Sequence, residues 1–133
     1  MTTEEQSAEI LSAMELLAEK AGDVAPAIFQ RYFERCQESR ALMDHMDEHM
    51  LGRMMDQVLL LIMESGEEEL ASYLTFETAN HRSYGVEAHM YGSLLHSVQD
   101  VIAETLGDAL TPGMANALKA RIDYLLGALT AAA

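Results

Sequence analysis

The chain has 133 residues, half of them apolar, and carries a formal net charge of -14. Its length favours one domain over residues 1–133, and its apolar content excludes a disordered chain. The acidic balance excludes the basic surface that nucleic acids and anionic membranes require. Because no apolar run approaches the roughly 20 residues of a membrane span, and no segment has the character of a signal peptide, we expect a cytoplasmic protein without a membrane partner.

Helical signals dominate the first third of the chain. A stripe of apolar residues at helical spacing predicts a helix that begins at Thr3 or Ser7 and ends near Lys20. Asp23 is a suitable cap for the next helix, and Pro26 is tolerated in its first turn. That helix should end near residue 36 or 37, with a short helical turn over about 38–43.

The remaining segments follow the same pattern. A wide apolar face predicts a long helix over about 46–64. A new helix should begin in the segment SGEEEL at 65–70, run to His81 and end at Gly85. Two further helices are predicted, over 87–106 and from Pro112 onward. Since no alternating strand pattern occurs, the expected fold is all-α, with six to seven helices.

Three stretches resemble the globin family, and are most similar to bacterial single-domain haemoglobins and to the globin domain of flavohaemoglobins. They are IFQRYF at 28–33, HRSYGV at 81–86 with a tyrosine at position 91, and ETLGDALTPGMANALKARIDYLLGAL at 104–129. The resemblance covers roughly residues 10–130. It implies a globin-like fold, a three-over-three helical sandwich that holds non-covalent haem b.

The resemblance implies that His81 is the proximal iron ligand, as a neutral imidazole is in globins. Val86, just past the turn, would pack on the porphyrin. Tyr91 would tune the iron by hydrogen bonding near His81, although simple core packing is an equal interpretation. A plainer interpretation of His81 is a histidine at a helix C-terminus that interacts with the helix dipole.

The distal side departs from the flavohaemoglobin pattern. Phe29 stands where that pattern has a tyrosine that hydrogen-bonds bound oxygen, and Met43 stands where it has a phenylalanine that wedges the haem. Both replacements remove polar or rigid groups from the ligand side. We therefore expect a pocket that binds CO and NO readily and stabilises polar bound oxygen poorly.

The residue that faces the ligand from the long helix should lie between His49 and Gly52. Met50, with Met54 one turn later, is preferred because both are assigned to the buried stripe, which leaves Arg53 at the rim to pair with a haem propionate. The alternative is His49, which would give a histidine distal ligand but would turn the arginine inward.

The end of the chain, LLGALTAAA, lacks the carboxylate that completes the proximal network of flavohaemoglobins, and a reductase domain is also missing. We therefore do not expect a dedicated enzyme, although weak nitric oxide dioxygenase or peroxidase-like haem activity is compatible with the site. The expected role is binding or sensing of O2, NO or CO, with a separate reductase as partner. The apolar faces of the last two helices permit a homodimer.

Other histidines and the overall class leave alternatives open. His45 and His49, four residues apart with carboxylates between them, have a spacing that can hold a metal, but a solvated helix start is the simpler interpretation. His89 and His96 are expected to be surface or groove residues. The acidic tract 67–69 fits a solvated first helical turn.

The alternative function is a haem-free, globin-fold regulatory or protein-interaction module.

Overall fold

The computed structural model describes residues 2–63, 74 and 77–132, and its regular structure is entirely helical. No strand occurs within these ranges, so the all-α prediction is confirmed. The segment 65–70, in which a new helix was predicted to begin, lies outside the described residues, and so does the acidic tract 67–69 within it. The helices are α1 (Thr3–Ala21), α2 (Ala25–Arg35), α3 (Gln37–Leu42), α4 (Glu48–Met63), α5 (77–83), α6 (Ala88–Leu106) and α7 (Pro112–Ala132), with a 3-10 turn at Gly107–Ala109.

Short polar side chains define where the helices begin. The Thr2 hydroxyl accepts the backbone N–H of Glu5 at 3.1 Å and caps α1. Asp23 accepts the N–H of Ala25 at 3.0 Å, but it lies one position before the N-cap of α2, which is Val24. Asp47 accepts an N–H of the first turn of α4 at 2.9 Å. These caps satisfy amides that have no partner within their own helix.

Helix α6 lies at the centre of the packing. It contacts α2 on one side and α7 on the other, and α1 crosses both α6 and α7. Helix α4 packs on α1, α7 and α2. The core is therefore shared by α6 with its neighbours α2 and α7 and by α1 and α4. Its fully buried large side chains include Ile10, Ile28, Met55, Ile62, Ile102, Leu118 and Ile122.

Polar side chains also join the helices, as two arginines illustrate. Arg31 of α2 donates to both carboxylate oxygens of Glu104 in α6, at 2.8 and 2.7 Å, and lies beside Asp100. Arg121 of α7 is buried and donates to the backbone oxygen of Ile62, at the end of α4, at 2.7 Å. No helix among the described residues is long and apolar enough to cross a membrane.

Candidate functional site

The segment HRSYGV forms a tight turn at the end of α5. The N–H of Val86 donates to the carbonyl of His81 at 3.1 Å, and the N–H of Gly85 donates to the carbonyl of Arg82 at 3.0 Å. This pair of bonds, with Gly85 at a φ of 91°, is the Schellman motif that closes many helices. Because backbone amides make the cap, the His81 side chain is not needed to end the helix.

The His81 imidazole is partly exposed and lacks hydrogen bonds within the described chain. Its side chain is 38% exposed, and Nε2 lies 4.0 Å from a carboxylate oxygen of Glu77, which is beyond hydrogen-bonding distance. Its Nδ1 atom is buried and has no hydrogen-bond partner among the described residues. A buried polar atom without a partner is uncommon in folded proteins. One ring nitrogen of His81 therefore lacks the partner that a buried polar atom usually has.

Tyr91 lies next to His81. The two ring centroids are 6.2 Å apart, with a tilt of 59° between the planes. Burial raises the pKa of Tyr91, and the positive charge of Arg82 opposes this shift. Val86 is half-buried against the same core. The structure thus brings together three of the residues predicted for the proximal side, His81, Val86 and Tyr91.

Helix α4 presents a different face from the one expected. Met50 is 41% exposed, and His49 and Arg53 are also exposed. The assignment of Met50 to the buried stripe is therefore wrong. The inward face follows the spacing 51, 55, 58 and 62, since the side chains at 55, 58 and 62 are buried and Leu51 is half-buried. Of the predicted pair, only Met54 packs against the core.

A groove of about 1150 Å³ runs between α2, α3 and the start of α4. Phe29 lines it and is stacked on Phe33 with ring centroids 5.8 Å apart. Leu51 and Gly52 line the opposite wall. Both lie in the interval 49–52 from which the ligand-facing residue was expected, but neither Met50 nor His49 lines the groove. Leu51 thus takes the groove-lining position for which Met50 was preferred, while His81, Val86 and Tyr91 do not line this groove.

Met43 and the remaining histidines occupy separate positions. Met43 follows α3 and is half-buried against the core, but it does not line the groove. His45 lies in the turn before α4, so His45 and His49 do not share a helical face. His96 is exposed, as expected. His89 is exposed as well, as expected, and lies beside Cys36 at the junction between α2 and α3.

No protein-family model matches the chain, and no curated protein is significantly similar to it.

Proposed function

We propose that this protein is a haem-binding globin that uses His81 as the proximal ligand and binds diatomic gases on an apolar distal side. The observation that carries the proposal is the buried Nδ1 atom of His81, at the end of α5, which has no hydrogen-bond partner among the described residues. A Schellman cap made by backbone amides leaves that side chain free. Its two ring nitrogens make no hydrogen bond among the described residues.

The residues around His81 fit a haem. An iron ion bound by one ring nitrogen would use a lone pair that otherwise has no partner, and Val86 and Tyr91 supply apolar surface beside it. Met54 offers a soft, half-buried side chain on α4. Arg53, exposed on the same helix, is available for a propionate at the rim.

The packing of the helices supports the globin-like arrangement. A three-over-three sandwich needs two layers of three helices that cross each other. The contacts of α6 with α2 and α7, and of α1 with α4, are consistent with that architecture, in which α5 would be the third member of the layer that contains α1 and α4. Arg31, two residues beyond Phe29, joins α2 to α6 through Glu104.

On the distal side we assign the ligand-facing position to Leu51. This residue and Phe29 line the same groove, and neither carries a hydrogen-bond donor in its side chain. A haem held by His81 would supply an open iron position for O2, NO or CO. At these two positions polar bound oxygen gains no charge-assisted hydrogen bond, whereas Gln30, Gln37 and Arg40 elsewhere in the lining carry donors. Phe29 and Leu51 as ligand-side residues favour NO or CO binding and sensing over oxygen storage, with a separate reductase as the proposed partner for any redox cycle.

Haem titration of the full chain tests this function. We expect one equivalent of haem to give a Soret band that is lost in His81→Ala and retained in His96→Ala, the control at an exposed histidine. Circular dichroism of both variants verifies that the helices persist. If the wild-type protein takes up no haem, the proposal fails, and the haem-free regulatory or interaction module becomes the better hypothesis.

A further inference from the structure

A cluster of metal-binding side chains lies where the α2–α3 junction meets the start of α6. Cys36, Glu38 and His89 place one sulphur, one oxygen and one nitrogen atom within 4.8 Å of one another. The Cys36 Sγ and His89 Nε2 atoms are 4.0 Å apart, and His89 Nε2 is 3.7 Å from a carboxylate oxygen of Glu38. It is the one such group of three or more among the described residues.

The chemistry and spacing of these atoms suit zinc. Zn²⁺ takes thiolate, imidazole and carboxylate ligands in a tetrahedral arrangement, with bonds of about 2.0–2.3 Å. Such bonds place neighbouring ligand atoms about 3.4–3.6 Å apart. The observed separations of 4.0 and 3.7 Å exceed this by only a few tenths of an ångström. Glu38 and His89 are exposed, so rotation of their side chains can close the gap.

Neighbouring groups orient two of the three ligands. A carboxylate oxygen of Glu87 lies 3.3 Å from Nδ1 of His89, on the side of the ring away from the cluster. Such a carboxylate fixes the tautomer of a ligating histidine, so that Nε2 presents its lone pair to the metal. The Ser39 hydroxyl donates to Cys36 Sγ at 3.2 Å, and Ser39 is itself bonded to Tyr32 at 2.5 Å. Both arrangements are typical of the surroundings of metal ligands.

We propose that Cys36, Glu38 and His89 bind one Zn²⁺ ion, with water in the fourth position. Binding releases the thiol proton of Cys36 to solvent and involves no change in oxidation state. The ion would join the α2–α3 junction to the first turn of α6, two segments far apart in sequence. This site is separate from His81 and does not depend on haem binding.

Spectroscopic titration of the haem-free full chain with Co²⁺, and competition with Zn²⁺, tests the proposal. We expect one equivalent of Co²⁺ to produce a thiolate-to-cobalt charge-transfer band together with the intense visible bands of four-coordinate cobalt. Zn²⁺ should abolish both. A second measurement is the melting temperature, which Zn²⁺ should raise because the ion binds the folded chain preferentially.

Because Cys36 is buried, its replacement can disturb the fold, so variants of the two exposed ligands carry the test. His89→Gln and Glu38→Gln should each weaken metal binding more than Glu87→Gln, for which loss of an orienting carboxylate predicts a decrease of about 10–100-fold. His96→Gln and Glu48→Gln, at exposed positions outside the cluster, are the matched controls and should bind like the wild type.

Absence of a charge-transfer band at one equivalent would overturn the proposal. So would a band that His89→Gln and Glu38→Gln leave unchanged, since that result would mean cobalt bound to the thiol alone. An equal loss of binding in His96→Gln would also contradict the assignment to this cluster.

Discussion

The amide of Val86 donates to the carbonyl of His81 at 3.1 Å and closes the Schellman turn at the end of α5. The two residues are five positions apart in the sequence, which is the separation that the 6→1 hydrogen bond of a Schellman motif requires. It also places the histidine in the last turn of its helix and the valine at the entrance to the next. The spacing that resembles the globin proximal segment is thus also the spacing of a stable helix end.

Gly85 is the residue on which that turn depends. Its φ of 91° lies in the region that L-residues avoid, and an added Cβ would lie 3.3 Å from Cδ2 of Leu42. We expect Gly85→Ala to lower the free energy of unfolding by about 1–2 kcal/mol, as measured by urea denaturation. The control is Gly127→Ala, within α7 and open to space, which should raise it by about 0.5–1 kcal/mol. Equal effects would contradict the account of the turn.

Leu51, rather than Met50, should control the bound gas. A glutamine at position 51 would present a donor in the groove beside Phe29, whereas a glutamine at position 50 would lie on the exposed face. In the haem-loaded protein we expect Leu51→Gln to slow O2 dissociation at least about tenfold, since a hydrogen bond to a charged group contributes about 1.5–3 kcal/mol. Dissociation of CO should change little.

Stopped-flow measurement of both rates checks this prediction, with Met50→Gln as the control that should behave like the wild type. A large effect in Met50→Gln and none in Leu51→Gln would restore the original assignment of the ligand-facing residue. A bis-histidine spectrum that disappears in His49→Ala would contradict both assignments.

Arg121 should contribute to stability from within the core. It donates to the carbonyl of Ile62 and, at 3.2 Å, to the hydroxyl of Ser7, and burial lowers the pKa of its guanidinium. Arg121→Met leaves a buried carbonyl at the end of α4 without this donor. We expect a loss of about 1–3 kcal/mol in the free energy of unfolding. Lys119→Met, two residues earlier and exposed, should change it by less than about 0.5 kcal/mol.

Stability should fall in alkaline solution because of two tyrosines. Burial raises the pKa of Tyr32 and of Tyr91 above the ordinary value of 10.0. Above about pH 10 the unfolded chain therefore loses these protons before the folded chain does, and the free energy of unfolding decreases as the pH rises. Below that pH the contribution is fully present.

Denaturation curves between neutral pH and pH 11 test this sign. The decline should be smaller in Tyr32→Phe and in Tyr91→Phe, while Tyr84→Phe, at a ring that is 72% exposed, should retain the wild-type decline. Stability that increased above pH 10 would show that the two phenols ionise more easily in the folded chain.

Helix boundaries were predictable from the sequence because local signals determine them. Asp23, Pro26, Gly85 and Pro112 act through their own backbone or that of nearby residues, and each stands where a helix begins or ends. Which face of α4 is buried was harder to predict, because apolar residues cover more than half of the helix circumference. The spacing from residues 62, 58 and 55 leads back to 51, and that signal was present in the sequence.

The Cys36–His89 cluster was not predictable from sequence. Cys36 and His89 are separated by 53 positions, and only the packing of α2 on α6 brings them together. An isolated cysteine and an isolated histidine have no diagnostic spacing, and the orienting role of Glu87 depends on the turn that precedes α6. By contrast, the prediction for His81 rests on a pattern of nearby residues in the sequence.

The resonance Raman spectrum of the ferrous, haem-loaded protein tests the central claim most directly, because the stretch between iron and a histidine nitrogen reports the proximal bond itself. We predict a five-coordinate ferrous haem with this stretch, which is lost in His81→Gly and returns when imidazole is added. A spectrum of the wild type that lacks the iron–histidine stretch, or one that His81→Gly leaves unchanged, would contradict the assignment of His81 as the iron ligand.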